Sequence, residues 1–151
     1  MLKLSKKVDY GLILLSRLSA IGKPVSAREM AERDGLPLPM VANILKALSA
    51  AEILISTRGA QGGYVLNRNP RSVTLAEVVH ALDGPVHLVD CVEETDLCQY
   101  SGVCPNHSPF QRVQEKFQAF LDDLSLDEIL GNPVRPLIFQ TDRDENTHLP
   151  R

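Results

Sequence analysis

SAREMAERDGLPLPMVANILKALSAAEILISTRGAQGGYVL, residues 26–66, decides the fold of this chain. Ser26-Ala27-Arg28-Glu29 is a capping box, in which the Ser hydroxyl and the Glu carboxylate each satisfy a backbone N–H left free where a helix starts. That helix runs to about Asp34 and stops at Gly35. After the turn GLPL, Pro39 suits the first turn of the next helix, which repeats Val41, Ile44, Leu45 and Leu48 on one side and shows Asn43, Lys46 and Ala47 on the other. Two short strands are expected over about 54–57 and 63–66, joined by the glycine-rich loop RGAQGG. Upstream, an amphipathic helix from about Lys6 to Ile21 carries Val8, Leu12, Leu15 and Leu18 or Ser19 on one face, and GKP closes it. Three helices and a hairpin make a winged helix-turn-helix.

In such a unit the second helix braces the third, which is long enough to lie in a major groove about 12 Å wide. The candidate DNA contacts are Arg28, Pro39, Met40, Asn43 and Lys46 on the two helices, with Arg58, Gly59, Gln61, Gly62 and Tyr64 in the wing. Arg58 puts a cation on a loop whose glycines permit close approach to phosphates, while Gln61 and Tyr64 add hydrogen-bonding groups. Dimeric readers of this kind bind pseudo-palindromic operators. The net charge of −3 conceals an asymmetry: residues 1–75 hold eleven Lys/Arg against five Asp/Glu, and residues 76–151 hold five against fourteen. A basic half suited to phosphates is thus joined to an acidic half that is not. The alternative is a small helical domain whose basic residues are only a solvated face.

Thr74-Leu75-Ala76-Glu77 is a second capping box, and its helix lasts to about Leu82 before Asp83-Gly84-Pro85 breaks it. Ser108-Pro109 launches a long helix in which Phe110, Val113, Phe117, Leu121 and Leu124 recur at three- and four-residue steps. A stripe this apolar needs a partner, and a second copy of the chain is the expected one. A third box, Ser125-Leu126-Asp127-Glu128, begins a short helix ended by Gly131, and the Pro- and charge-rich tail beyond is expected to be mobile. The expected division is a DNA-binding domain over 1–84, a cysteine loop over 85–107, dimerisation and short helices over 108–130, and a tail over 131–151. The fold class is therefore mainly α with a small β-hairpin wing, a winged helix-turn-helix followed by a long dimerisation helix.

All three cysteines, with His107, fall within CVEETDLCQYSGVCPNH, residues 91–107. The spacing C-x6-C-x5-C-x2-H does not match the tight C-x2-C pairs of zinc ribbons and fingers. A long glycine-containing loop can wrap something larger than one tetrahedral ion, and thiolates are the ligands iron–sulfur clusters prefer. His107 is close enough to Cys104 to supply a fourth ligand, or is a helix-start residue facing water; zinc and unligated thiols stay open as alternatives. The acidic surroundings, with Asp90, Glu93, Glu94 and Asp96, disfavour a simple thiolate nucleophile. No nucleophile elbow, P-loop or H-E-x-x-H is present, Asp122-Asp123 reads as a solvated face, and His80, His87 and His148 receive no role. An enzyme is not expected. No apolar run approaches the roughly 18 residues of a membrane span, and MLKLSKKVDYGL lacks the pattern of a signal peptide, so a cytoplasmic protein is expected.

LSKKVDYGL at the start, TRGAQGGYVL in the wing and the Cys91, Cys98, Cys104 loop, in that order, resemble the bacterial family of iron–sulfur-sensing winged-helix regulators that includes IscR and NsrR. The resemblance covers about residues 1–130. It implies a homodimer crossing through the long helix, with a cluster bound away from the DNA-binding face and controlling it. Within the family, His107 stands where cluster-assembly regulators use a histidine, which implies a 2Fe-2S centre. Asp9 stands where nitric-oxide sensors use an aspartate donated by the partner subunit to a 4Fe-4S centre. Of the two, His107 is the expected fourth ligand. Two departures are the first cysteine interval, one residue longer than in the cluster-assembly regulator, and Pro37 in place of the usual serine before the third helix. LPLPMVANILKAL and TRGAQGGYVL look most like the branch that regulates the SUF assembly machinery, which implies a repressor acting in feedback. The competing functions are an iron–sulfur carrier or redox adaptor that binds protein rather than DNA, and a zinc or thiol switch on DNA.

Overall fold

A computed structural model describes residues 4–89, 100 and 103–131. Helix α1, Lys6–Ile21, begins where the Ser5 side chain accepts the N–H groups of Lys7 and Val8. It ends at Gly22, whose φ of 66° lets its N–H reach back to the Leu18 carbonyl. The buried face holds Val8, Gly11, Leu14, Leu15, Ser16 and Leu18, whereas Leu12 is half-buried and Ser19 exposed. The face is wider than the sequence suggests because α1 is flanked by more than one element.

Helix α2, Ala27–Asp34, is capped by Ser26, which accepts the Glu29 N–H. The return bond expected from Glu29 is missing, and that side chain stays exposed. Helix α3, Leu38–Ala50, has Pro37 at its N-cap with no side-chain bond; instead Met40 and Val41 donate to the Pro37 carbonyl. Val41, Ile44, Leu45 and Leu48 are fully buried, as their spacing predicts. Strands β1, Leu54–Thr57, and β2, Gly63–Leu66, pair antiparallel from Leu54 opposite Leu66 to Thr57 opposite Gly63. A third edge comes from Val25, which exchanges backbone hydrogen bonds of 3.0 and 2.8 Å with Tyr64. The wing is thereby stitched to the segment between α1 and α2.

After a 3-10 turn over Pro70–Ser72, helix α4 spans Leu75–Asp83 behind a complete Thr74/Glu77 capping box. Burial alone would raise the Glu77 pKa. The hydrogen bond from Arg68 at 2.6 Å, the Thr74 N–H and the Arg68 charge outweigh it, and the pKa is lowered. Helix α5, His107–Asp123, starts one residue before the expected Ser108-Pro109. Helix α6, Leu126–Leu130, has the complete Ser125/Glu128 box.

The end of α5 is stitched to the start of α4. Leu75 N–H donates to the Leu124 carbonyl at 2.8 Å, Leu126 N–H donates to the Val73 carbonyl at 2.7 Å, and Arg71 pairs with Asp127 at 3.1 Å. This seam divides the apolar stripe of the long helix. Leu121 is 4% exposed inside its own chain, and Phe117 and Leu124 are half-buried against the same core. Phe110 and Val113 are exposed, together with Phe120, which is 57% exposed and which the stripe had left out. The tail from Asn132 lies outside the described residues. Among the described residues, no helix is long and apolar enough to cross a membrane.

Candidate nucleic-acid interface and thiol site

The helix-turn-helix is held from behind by a buried ion pair. Arg17 Nε on α1 lies 3.0 Å from Asp34 Oδ1, the last residue of α2, with side chains 11% and 1% exposed. In front, Pro39, Asn43 and Lys46 fall at i, i+4 and i+7, so they share one face of α3, opposite the buried one, and all three are exposed. Arg28 is exposed in the first turn of α2. Met40 is half-buried and packs against the core, and so does Ala47, which the sequence placed on the outer side.

The wing glycines divide by what surrounds them. Gly59, with φ of 115°, has nothing within 4 Å of the place where a Cβ would sit, so a ligand has room there. A Cβ on Gly62 would collide with the Thr57 carbonyl, and one on Gly63 with Val25 of the neighbouring edge. Gly62 is required by the hairpin itself and Gly63 by its docking on Val25, and the open approach to the backbone is at Gly59. Arg58 and Gln61 project from the exposed loop, while Tyr64 is half-buried in the packed shell beside Val25. Arg28, Lys46 and Arg58 are therefore exposed cations on the three elements that such a fold turns toward DNA.

Of the expected cluster ligands, Cys91 and Cys98 lie outside the described residues. Cys104 is a free, half-buried thiol. His107, the first residue of α5 and also half-buried, donates its backbone N–H to the Cys104 carbonyl at 3.3 Å, so both residues occupy one turn. Among the described residues no three His, Cys, Asp or Glu side chains gather as a metal site. Asp9 is exposed near the start of α1, beside a shallow groove lined with Leu4, Ser5, Lys6 and Leu12.

The chain leading into the cysteines is anchored on two sides, which sequence reasoning missed. The Gln114 side chain on α5 donates to the Val86 carbonyl at 2.6 Å and accepts the Leu88 N–H at 2.9 Å. Just upstream, Ser5 Oγ donates to Asp83 Oδ1 at 2.7 Å, and Lys7 Nζ donates to the Leu82 carbonyl. The available signal was an amide, Gln114, one residue from an apolar position of α5, but its partners lie 26 and 28 residues away.

The comparisons with known proteins agree with this geometry. The repressor NsrR of Streptomyces coelicolor is 31% identical over 146 residues, covering 94% of this chain and 98% of its own length. Among solved structures, IscR of T. potens superposes with a TM-score of 0.60 at 30% identity, covering 86% of this chain and 87% of that one. CymR, the global cysteine regulator of B. subtilis, superposes with a TM-score of 0.67 at 26% identity, covering 87% and 98%. A family profile described as "Iron-dependent Transcriptional regulator" matches residues 4–132, and on that match, with the winged helix-turn-helix just described, the chain belongs to the Rrf2 family of transcriptional regulators.

Proposed function

We propose that this DNA-binding regulator senses iron–sulfur cluster status through Cys91, Cys98 and Cys104, and as a homodimer represses SUF-type assembly genes from a pseudo-palindromic operator. The observation that carries the reading is the turn at the start of α5, where a free half-buried thiol and a half-buried imidazole lie three residues apart at the end of a loop holding the other two thiols. That donor set fits a thiolate-bound cluster with one imidazole ligand. Cys91, Cys98, Cys104 and His107 would hold it, and when bound it supplies a centre sensitive to oxidants and iron supply. The protein's own part is to fix the two ends of the loop: Gln114 and Asp83 hold its approach, and α5 holds its exit. Anaerobic purification with iron, sulfide and visible absorbance measured tests the reading, because a zinc site or bare thiols give colourless protein. Loss of the 2Fe-2S spectrum in His107→Ala supports the imidazole ligand. The exposed Asp9, offered by a second copy to a 4Fe-4S centre, predicts a 4Fe-4S spectrum instead, lost in Asp9→Ala and kept in His107→Ala.

On the DNA side, Arg58→Ala is expected to weaken operator binding and to lower the slope of log K against log salt by about one, since one phosphate contact releases about one counterion. A fluorescence-anisotropy salt series checks this. A carrier that binds protein would have no such slope, and unchanged binding at every salt concentration would remove Arg58 from the interface.

The large exposed apolar residues of α5 recur as Phe110, Val113 and Phe120, with half-buried Phe117 between them, at steps of three and four that form a narrow seam. Phe120→Glu is expected to convert the dimer to monomer in light scattering without disturbing the core. A Phe120→Glu protein that stays dimeric at micromolar concentration overturns the seam.

A further inference from the structure

Helix α3 begins unusually for a helix meant to read bases. Its first turn, Leu38-Pro39-Met40, carries no charged, hydroxyl or amide group, and the N-cap before it is a proline with no side-chain bond. Leu38 is nevertheless 39% exposed and Pro39 exposed, so hydrocarbon stands in water where a helix-turn-helix meets base edges. Polar groups begin only at Asn43 and Lys46, one and two turns further along the exposed face. The N-terminal half of the chain carries a surplus of six positive charges, which makes a polyanion rather than an apolar protein groove the partner of this face.

The only alkyl group on a base edge in the major groove is the 5-methyl group of thymine. An amide such as Asn43 pairs bidentately with adenine N6 and N7. Resting on the reading of α3 as the recognition helix, we infer that this regulator selects its half-site by contact of Leu38 and Pro39 with thymine methyl groups, beside an adenine held by Asn43. Specificity at those thymines is then a burial effect and does not depend on a hydrogen bond. Removing one buried methyl weakens binding about fourfold, and removing the equivalent methyl from both half-sites about fifteenfold. Lys46 adds affinity through a phosphate or a guanine edge.

The test uses the full chain, purified anaerobically, to select duplexes from a random DNA pool. The selected duplex is then resynthesised with deoxyuridine replacing thymidine one position at a time, which deletes the methyl and leaves base pairing intact. The expected result is a loss of about fourfold at one or two thymines per half-site, and disappearance of that loss in Leu38→Ala or Pro39→Ala, with the salt slope unaltered because no phosphate contact is touched. Equal affinity for thymidine and deoxyuridine duplexes overturns the inference while leaving DNA binding intact. A methyl effect that persists in both variants overturns it as well, since the methyl then acts through DNA shape. Failure to enrich any duplex overturns the DNA-binding reading, and the inference with it.

Discussion

Alanine at any one of Cys91, Cys98 or Cys104 is expected to yield colourless protein, with iron and sulfide falling from near-stoichiometric to background after anaerobic purification. Three thiolates and one further ligand leave a cluster no spare protein donor, and a vacated position opens an iron to solvent and to exchange. The fold is expected to survive the change. Cys104 precedes α5 and is absent from the packed core, so far-ultraviolet circular dichroism of Cys104→Ala should match the parent. Full iron and sulfide in all three variants would refute the ligand assignment.

Asp34→Ala is expected to cost about 3–5 kcal/mol of stability, the usual range for breaking a buried pair from one side. The Arg17 guanidinium, 11% exposed, loses the carboxylate 3.0 Å away, and the last turn of α2 loses its tie to α1. Urea denaturation followed by circular dichroism measures this as a lower midpoint at unchanged slope. The double variant Arg17→Met/Asp34→Leu should recover most of the loss, because it removes the charge along with its partner. A loss below about 1 kcal/mol for Asp34→Ala would mean that the pair does not hold the helix-turn-helix to α1.

The elements most legible in the sequence were those bounded by local chemistry. Gly22, Gly35, Thr74-Glu77 and Ser125-Glu128 mark their own helix ends, and the glycines of RGAQGG mark the hairpin, so α1, β1 and β2 were placed without tertiary information. What escaped was set by distant parts of the chain. An apolar step of three or four cannot say that Leu121 turns inward while Phe120 turns outward, because that depends on the seam between Thr74 and Ser125. Val25 is a strand of one residue, visible only beside Tyr64. The glycine content of the wing announced freedom of backbone, but not that Gly62 is taken up by the hairpin's own turn and Gly63 by the edge at Val25. That Cys104 and His107 share one turn was legible from their spacing, whereas the anchoring by Gln114 and Asp83 was not.

Helix α1 is fastened at both ends to different machinery. Near its start, Ser5 and Lys7 hold the end of α4, and Gly11 admits Leu82 so closely that a Cβ there would collide with it. Near its finish, Arg17 holds the last residue of α2. With 16 residues at a rise of 1.5 Å each, the helix is a rod of about 24 Å. The two attachments, at Lys7 and Arg17, stand ten residues or about 15 Å apart along it. The stem of the cysteine loop and the reading head are thus joined through one continuous rod, with no flexible joint between the two attachments.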